Sequence, residues 1–287
     1  MRVYEWDGVP TPIVDADDYI LIALGGFPDN GKGDWNEEVA IPAAEAMEKA
    51  AMSGKSGKPT PRRGAHASKS AGASMGGGQT HPQNLSLSVR NAAILASLFA
   101  LEPFRRIAGF TNMVFYAFAQ QLHDFYRTEF DKVCAHDPSI LRNLPSRLSV
   151  FSTTTFNFGP ATVTFPHIDF RNWPLGNFDP DRGGHLVLWD LKLVIRFPPG
   201  STILIPSAFL RHSNVNIAPH ETRFSFTQYT PAGLFRWVYN RFRTDKDIDT
   251  SKTTTPQERE QRRKDRERRW AEGIKMYTKW DGPSQTL

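Results

Sequence analysis

The sequence predicts an α+β domain in which helices buttress a sandwich or jelly-roll barrel of short strands. Three observations carry that expectation: 287 residues with 39% apolar content, helix-period segments in the first half, and turn-separated β-rich runs between Arg147 and Tyr229. A chain of this length and apolar content buries a sizeable core as one large domain or a domain with appendages. Aromatic residues at 12% and charged residues at 23% exclude collagen-like, coiled-coil and wholly disordered classes. The single cysteine, Cys134, cannot form an internal disulfide, which excludes a secreted disulfide scaffold.

Residues 1–51 read as strand, loop and helix: an apolar run Tyr19–Leu24, turn signals at Gly25-Gly26 and Asp29-Asn30-Gly31, then a helix from Asn36 to Ala51. Residues 52–75 read as a flexible basic loop, with five basic residues, no acid and no periodicity between Met52 and Gly72. Within it, Gly54-Lys55-Ser56 resembles the end of a phosphate-binding loop, but Lys49 stands where that pattern needs glycine, so a nucleoside-triphosphatase is excluded. Gly76-Gly77-Gly78 permits close backbone approach.

Two amphipathic helices are expected over 85–101 and about 104–133, from Leu95, Leu98 and Phe99 and then Phe115, Phe118, Leu122 and Phe125. Their aromatic stripe reads as packing surface. From Arg147 the period shortens, with β runs at Leu148–Phe158, Ala161–Phe165, His185–Trp189, Lys192–Phe197, Thr202–Ile205, Arg211–Ile217 and Arg223–Tyr229. Residues 76–245 make the main domain and 246–287 a basic tail, whose 257–269 stretch carries seven basic and four acidic side chains. That stretch reads as a solvated helix laced with ion pairs, or as a nuclear-targeting or phosphate-contacting element.

Net charge is +5, unevenly placed: residues 1–50 carry 3 basic and 11 acidic side chains, leaving the remainder basic enough to face a polyanion. No apolar run follows Arg2, so a secretory signal is not expected, and Ile107–His123 falls short of the roughly 20 apolar residues of a membrane span. An intracellular protein without membrane contact is the expectation.

His167-Ile168-Asp169 is the only His-x-acid triplet, and at this composition one is expected by chance. Its company raises it: His212 lies on a later β run and Arg223-Phe224-Ser225 begins the next. Two imidazoles and one carboxylate on one face of Fe(II) leave positions open for a bidentate 2-oxo acid and dioxygen. An arginine then pairs with the far carboxylate of that acid, with a serine hydroxyl as a further donor. Arg223 and Ser225 alternate onto the same strand face, as that role requires. His185 shares a face with Val187 and Trp189 and reads equally as a co-substrate donor or an ordinary half-buried histidine. His66, His81, His123, His136 and His220 are assigned no chemistry.

The stretches His167–Asn172, Gly183–Gly200, Leu210-Arg-His212-Ser-Asn and Arg223–Tyr229, with Gly76-Gly-Gly-Gln79 and Phe156-Asn-Phe-Gly-Pro160, resemble fungal members of the ten-eleven-translocation/J-binding-protein (TET/JBP) dioxygenases. The resemblance runs from about Gly76 to Phe242. It implies a double-stranded β-helix, cupin-like enzyme that uses Fe(II) and 2-oxoglutarate to oxidise methylated bases in DNA, 5-methylcytosine above all, with the base flipped out of the duplex. His167, Asp169 and His212 match the iron ligands, and Arg223, Ser225 and His185 the co-substrate contacts. Asn172 matches a base hydrogen-bonding position and Tyr229 an aromatic that stacks on the base.

One departure stands out: an apolar segment about one strand long, which the family carries after Asn172-Trp173-Pro174, is missing here. Such a loss would expose backbone donors and acceptors. The alternatives are therefore a catalytically silent nucleic-acid-binding barrel, or a dioxygenase for N6-methyladenine or RNA. A monomer in the nucleus is the expected setting.

Overall fold

The computed structural model describes residues 1–28, 34–53, 64, 66–140, 149–167, 173–251, 253–282 and 285–286. Asp169, Asn172 and the Gly54-Lys55-Ser56 stretch lie outside the described residues. The chain is α+β, and among the described residues its strands form three sheets, none of which closes on itself. The mixed α+β character expected from the sequence is present, while closure of the strands into one barrel is not seen among the described residues.

The largest sheet has five strands in the order β5-β4-β6-β12-β7, formed by Gln83–Asn84, Ala67–Ser74, Thr153–Phe158, Phe224–Tyr229 and Trp173–Leu175. Polar residues and phenylalanines alternate over Thr155–Phe158 and Phe224–Thr227, which suits a pleated surface with two unlike faces. Phe156, Phe158, Phe224, Phe226, Trp173 and Leu175 point to one side and are buried against helices. Ser225 pairs with Asn157, Thr227 with Thr155 and Tyr229 with Thr153, so the other side is polar.

The apolar side is covered by a π-helical turn at Asn36–Ala40 running into α1 (Ile41–Ser53), by α2 (Val89–Ala100) and by α3 (Glu102–Phe118). Phe104 meets Phe156 edge-on at 5.0 Å between centroids. The single helix expected over 104–133 is broken at Ala119, whose backbone leaves the helical region (φ −151°, ψ 60°), and α4 (Gln120–His136) begins anew. The break lets Phe115 and Tyr126, on successive helices, pack edge-to-face at 5.3 Å.

Two four-stranded sheets enclose a second core. One runs β1-β9-β8-β11 (Arg2–Tyr4, Leu193–Ile195, Leu186–Leu188, His212–Asn214) and the other β10-β3-β2-β13 (Thr202–Leu204, Ile20–Gly26, Thr11–Val14, Gln285–Thr286). Trp6, Ile22, Leu24, Leu186, Leu188 and Ile195 are among the side chains buried between them. The N-terminal segment is thus part of the sheets, with β1 pairing parallel to β9.

Residues 67–74, read from composition as loop, form strand β4 instead. Small size explains it: Ala67 and Ala71 fit beneath the helices on one face, while Ser68 and Ser70 pair across to Asn157 and Thr155 on the other. Packing overrides the low β-propensity of Ala, Ser and Gly. Conversely, Ala161–Phe165, read as a strand, makes only isolated bridges at Ala161 and, just beyond it, His167.

After β12 the chain continues as α5 (Ala232–Tyr239), α6 (Asp245–Thr250) and α7 (Pro256–Lys275). The last is the expected ion-paired helix: Thr255 and Glu258 form a reciprocal capping box, and none of its residues is buried. No helix among the described residues is long and apolar enough to cross a membrane.

Strand β7 follows directly on the 168–172 segment, so its anchorage fixes where that segment ends. The Trp173 indole N–H donates to Thr111 Oγ1 at 2.7 Å in a buried site, and Gly200 N–H donates to Pro174 O at 2.8 Å. Thr111→Val is expected to strand the buried indole N–H and to cost about 1–3 kcal/mol. Urea unfolding monitored by tryptophan fluorescence would read this as a lower midpoint with an unchanged slope.

Candidate active site

His212 is the first residue of β11, and the register pairs it with Leu188. Direct partners in a ladder share a face, so His212 projects to the same side as Leu188, inward at the edge of the second core. His167 lies beside it: His167 N–H donates to His212 O at 3.0 Å and His212 N–H to His167 O at 2.9 Å. The two rings are 4.4 Å apart at their centroids. Two histidines 45 positions apart in sequence are thus brought into contact by one backbone bridge.

Their hydrogen bonds fix the chemistry. His167 Nδ1 is 2.6 Å from Phe165 O and His212 Nδ1 is 2.9 Å from Leu210 O. A carbonyl only accepts, so Nδ1 carries the proton in both rings and the in-plane lone pair is on Nε2. That pattern, one ring nitrogen tied to a carbonyl two residues back, is how a metal-binding imidazole is oriented and its tautomer fixed. The donor chemistry therefore fits a divalent transition metal. Among the described residues no three His, Cys, Asp or Glu side chains form a metal-binding group, and Asp169 is outside them.

Arg223, just before β12, is fully buried. One of its terminal nitrogens donates to Thr162 O at 2.5 Å and is 3.1 Å from Thr162 Oγ1, while Nε and the second terminal nitrogen have no hydrogen-bond partner among the described residues. Burial pulls the guanidinium pKa down from its ordinary value to about 10, so it is still charged at neutral pH. The ring of Phe178 lies 5.9 Å below it. A side chain on Gly184 would collide with that ring at 2.5 Å, and the residue's φ of +72° favours glycine as well, so Gly184 is what lets Phe178 sit there. A buried cation with two undirected N–H groups beside a polar sheet face is a receptor for an anion.

Ser225 is buried one residue pair along from Arg223 and accepts a hydrogen bond from Asn157 Nδ2 at 2.9 Å; the same amide reaches Thr227 Oγ1 at 3.2 Å. His66 is also buried, with its Nδ1 unpartnered. Its ring is held neutral first by burial and then by the nearby positive charge of Arg223, and it also senses His167. Tyr229 closes the polar face at the far end of β12, half-buried and opposite Thr153.

Of the residues singled out from the sequence, the structure brings His167 and His212 together and sets Arg223 and Ser225 on one polar face. His185 is not brought to them. It is one residue before Leu186, whose side chain faces the second core, so alternation turns His185 to the opposite side of the sheet. There its charged neighbours are Glu5, Arg196 and Asp181, and burial lowers its pKa. His185→Ala is expected to leave the thermal shift caused by 2-oxoglutarate unchanged, as differential scanning fluorimetry would read.

His66, Asn157, Thr162 and Phe178 belong to the site and were missed. The alternation Thr153-Thr-Thr-Phe-Asn-Phe158 could have placed Asn157 opposite its phenylalanine neighbours. Nothing local marks His66.

No protein-family profile matches the chain, and no curated protein matches it. Among solved structures, NgTET1 in complex with 5mC DNA superimposes with a TM-score of 0.51 over 81% of this chain and 83% of that one, at 14% sequence identity. At that identity the likeness is one of fold.

Proposed function

We propose that this chain is an Fe(II)- and 2-oxoglutarate-dependent dioxygenase that oxidises methylated bases in DNA, 5-methylcytosine first among them, in the nucleus. The observation that carries the reading is the buried Arg223 on the polar face of β12, with two guanidinium nitrogens that have no hydrogen-bond partner among the described residues. The shared fold with a protein solved on 5mC DNA supports it, as do the TET/JBP-like motifs. In this reading the open sheets are the two halves of a double-stranded β-helix: β11-β8-β9 with the His167 bridge on one side, β6-β12-β7 on the other.

His167 and His212, with Asp169, would hold the iron through Nε2 and the carboxylate. Bound there, the metal supplies activation of dioxygen, coupled to decarboxylation of the 2-oxo acid. The chain's own part is to position. Arg223 pairs with the distal carboxylate of 2-oxoglutarate, replacing two missing hydrogen bonds with charge-assisted ones. Ser225 Oγ–H donates to the same carboxylate, and Asn157, which donates to Ser225 Oγ, orients that hydroxyl. The carbonyls of Phe165 and Leu210 hold the imidazole protons on Nδ1, away from the ligating nitrogens. Asn172 would hydrogen-bond the flipped base and Tyr229 stack on it, replacing the partners lost from the duplex.

The test is direct. Protein incubated with Fe(II), ascorbate, 2-oxoglutarate and methylated duplex DNA should yield succinate and oxidised cytosine nucleosides by mass spectrometry, with His167→Ala yielding neither. DNA retention without succinate from either sample would favour a silent binding module. Oxidation confined to N6-methyladenine or to RNA would move the substrate but keep the chemistry.

A further inference from the structure

A cavity of about 240 Å³ opens past the end of β12, between the turn after β4, helix α5 and the Arg243–Lys246 segment. Strand β12 ends at Tyr229, and α5, which lines the cavity, begins three residues later. Three exposed cations line it: Arg236, Arg243 and Lys246. The carboxylate that also lines it, Asp245, is already engaged, by Asn240 at 2.9 Å and Arg262 at 3.0 Å, with Arg266 and Arg236 at 3.5 and 3.8 Å. Nearby Asp247 caps α6, accepting from Thr244 N–H at 3.1 Å. The cavity therefore has a surplus of positive charge.

It also presents donors without acceptors. Trp237 contributes to the lining with 7% of its surface exposed. Gly77 and Gly78 have positive φ angles, +56° and +91°, and open space where side chains would project. Among the described residues nothing accepts from their N–H groups, whereas Gly76 N–H is taken by Gln79 Oε1 at 2.9 Å. The turn is pinned against α5, because a side chain at Gly233 would meet Met75 O at 2.0 Å. Bare consecutive amides and surplus cations around one hollow are the chemistry of phosphate recognition.

We propose that this cavity seats a backbone phosphate of the bound nucleic acid, close to the nucleotide whose base enters the site. The inference rests on the proposed function, and it assigns work to the glycine triplet and to the basic residues beyond β12. A phosphate grip reads no base, so it strengthens binding equally for methylated and unmethylated duplexes.

Fluorescence anisotropy of both duplexes across a salt series, on wild type and on Arg243→Gln/Lys246→Gln, tests it. The variant is expected to bind both duplexes roughly 5- to 10-fold more weakly at physiological salt, with a log–log salt slope shallower by about one. Its thermal shift with 2-oxoglutarate should equal that of wild type. Unchanged affinity and slope, or a loss confined to the methylated duplex, would overturn the phosphate grip while leaving the dioxygenase reading intact. So would an inorganic-phosphate thermal shift lost in the variant with DNA binding unaltered, which would assign the cavity to a small phosphorylated compound. Failure of wild type to bind either duplex would overturn the nucleic-acid reading and this one together.

Discussion

Arg223→Met is expected to make the ligand-free protein more stable, by about 1–3 kcal/mol, and to abolish its response to 2-oxoglutarate. The guanidinium is fully buried, and two of its three nitrogens have no hydrogen-bond partner among the described residues. Burial lowers its pKa to about 10, which corresponds to a penalty of roughly 3 kcal/mol on the buried charge. The sign follows from linkage: the unfolded chain holds this proton more tightly, so the penalty operates at every pH below about 10 and is relieved only above it. The hydrogen bonds to Thr162, each worth about 1 kcal/mol, offset part of it.

Methionine fills similar space without the charge. Urea midpoints with and without 2-oxoglutarate check both halves of the prediction. Wild type should gain stability as the dicarboxylate occupies the site, and the variant should start higher and gain nothing. A variant that is less stable and still responds would mean that Arg223 is structural.

His212→Ala is expected to weaken ferrous iron binding by more than about 100-fold, since losing a partner that merely orients a metal ligand already costs 10- to 100-fold. Turnover should fall with it to the level of the metal-free protein. The side chain is nearly buried, so some destabilisation accompanies the change. His212→Gln, which retains much of the volume, separates the two effects: it should recover stability but not metal affinity. Equilibrium dialysis against Fe(II) under anaerobic conditions reads the affinity without relying on catalysis. Binding within a few-fold of wild type in both variants would remove His212 from the ligand set.

Much of this site is written in local sequence pattern, and the rest depends on contacts far apart in the chain. Arg223 and Ser225 were legible because a two-residue alternation in β12 decides which side chains share a face. His212 was legible as a β-strand histidine, but its partnership with His167 is a tertiary fact created by one bridge between strands. His185 shows the limit of parity reasoning: its face was read correctly, but which face is the interior depends on how two sheets stack. His66 and β4 were invisible for a related reason. A run of Ala, Ser and Gly has little propensity of its own, and only the space under α1 and α2 makes it a strand. The helix break at Ala119 left no composition signal either, since both sides of it read as one amphipathic stripe.

The central claim is that an imidazole pair and a buried arginine receive one metal and one dicarboxylate together. Anaerobic calorimetric titration of 2-oxoglutarate into the protein, with and without Fe(II), tests it most directly. The account predicts one site per chain, tight only when the metal is present, and lost in both Arg223→Met and His212→Ala. Heat of binding that is indifferent to Fe(II), or that survives in Arg223→Met, would contradict it.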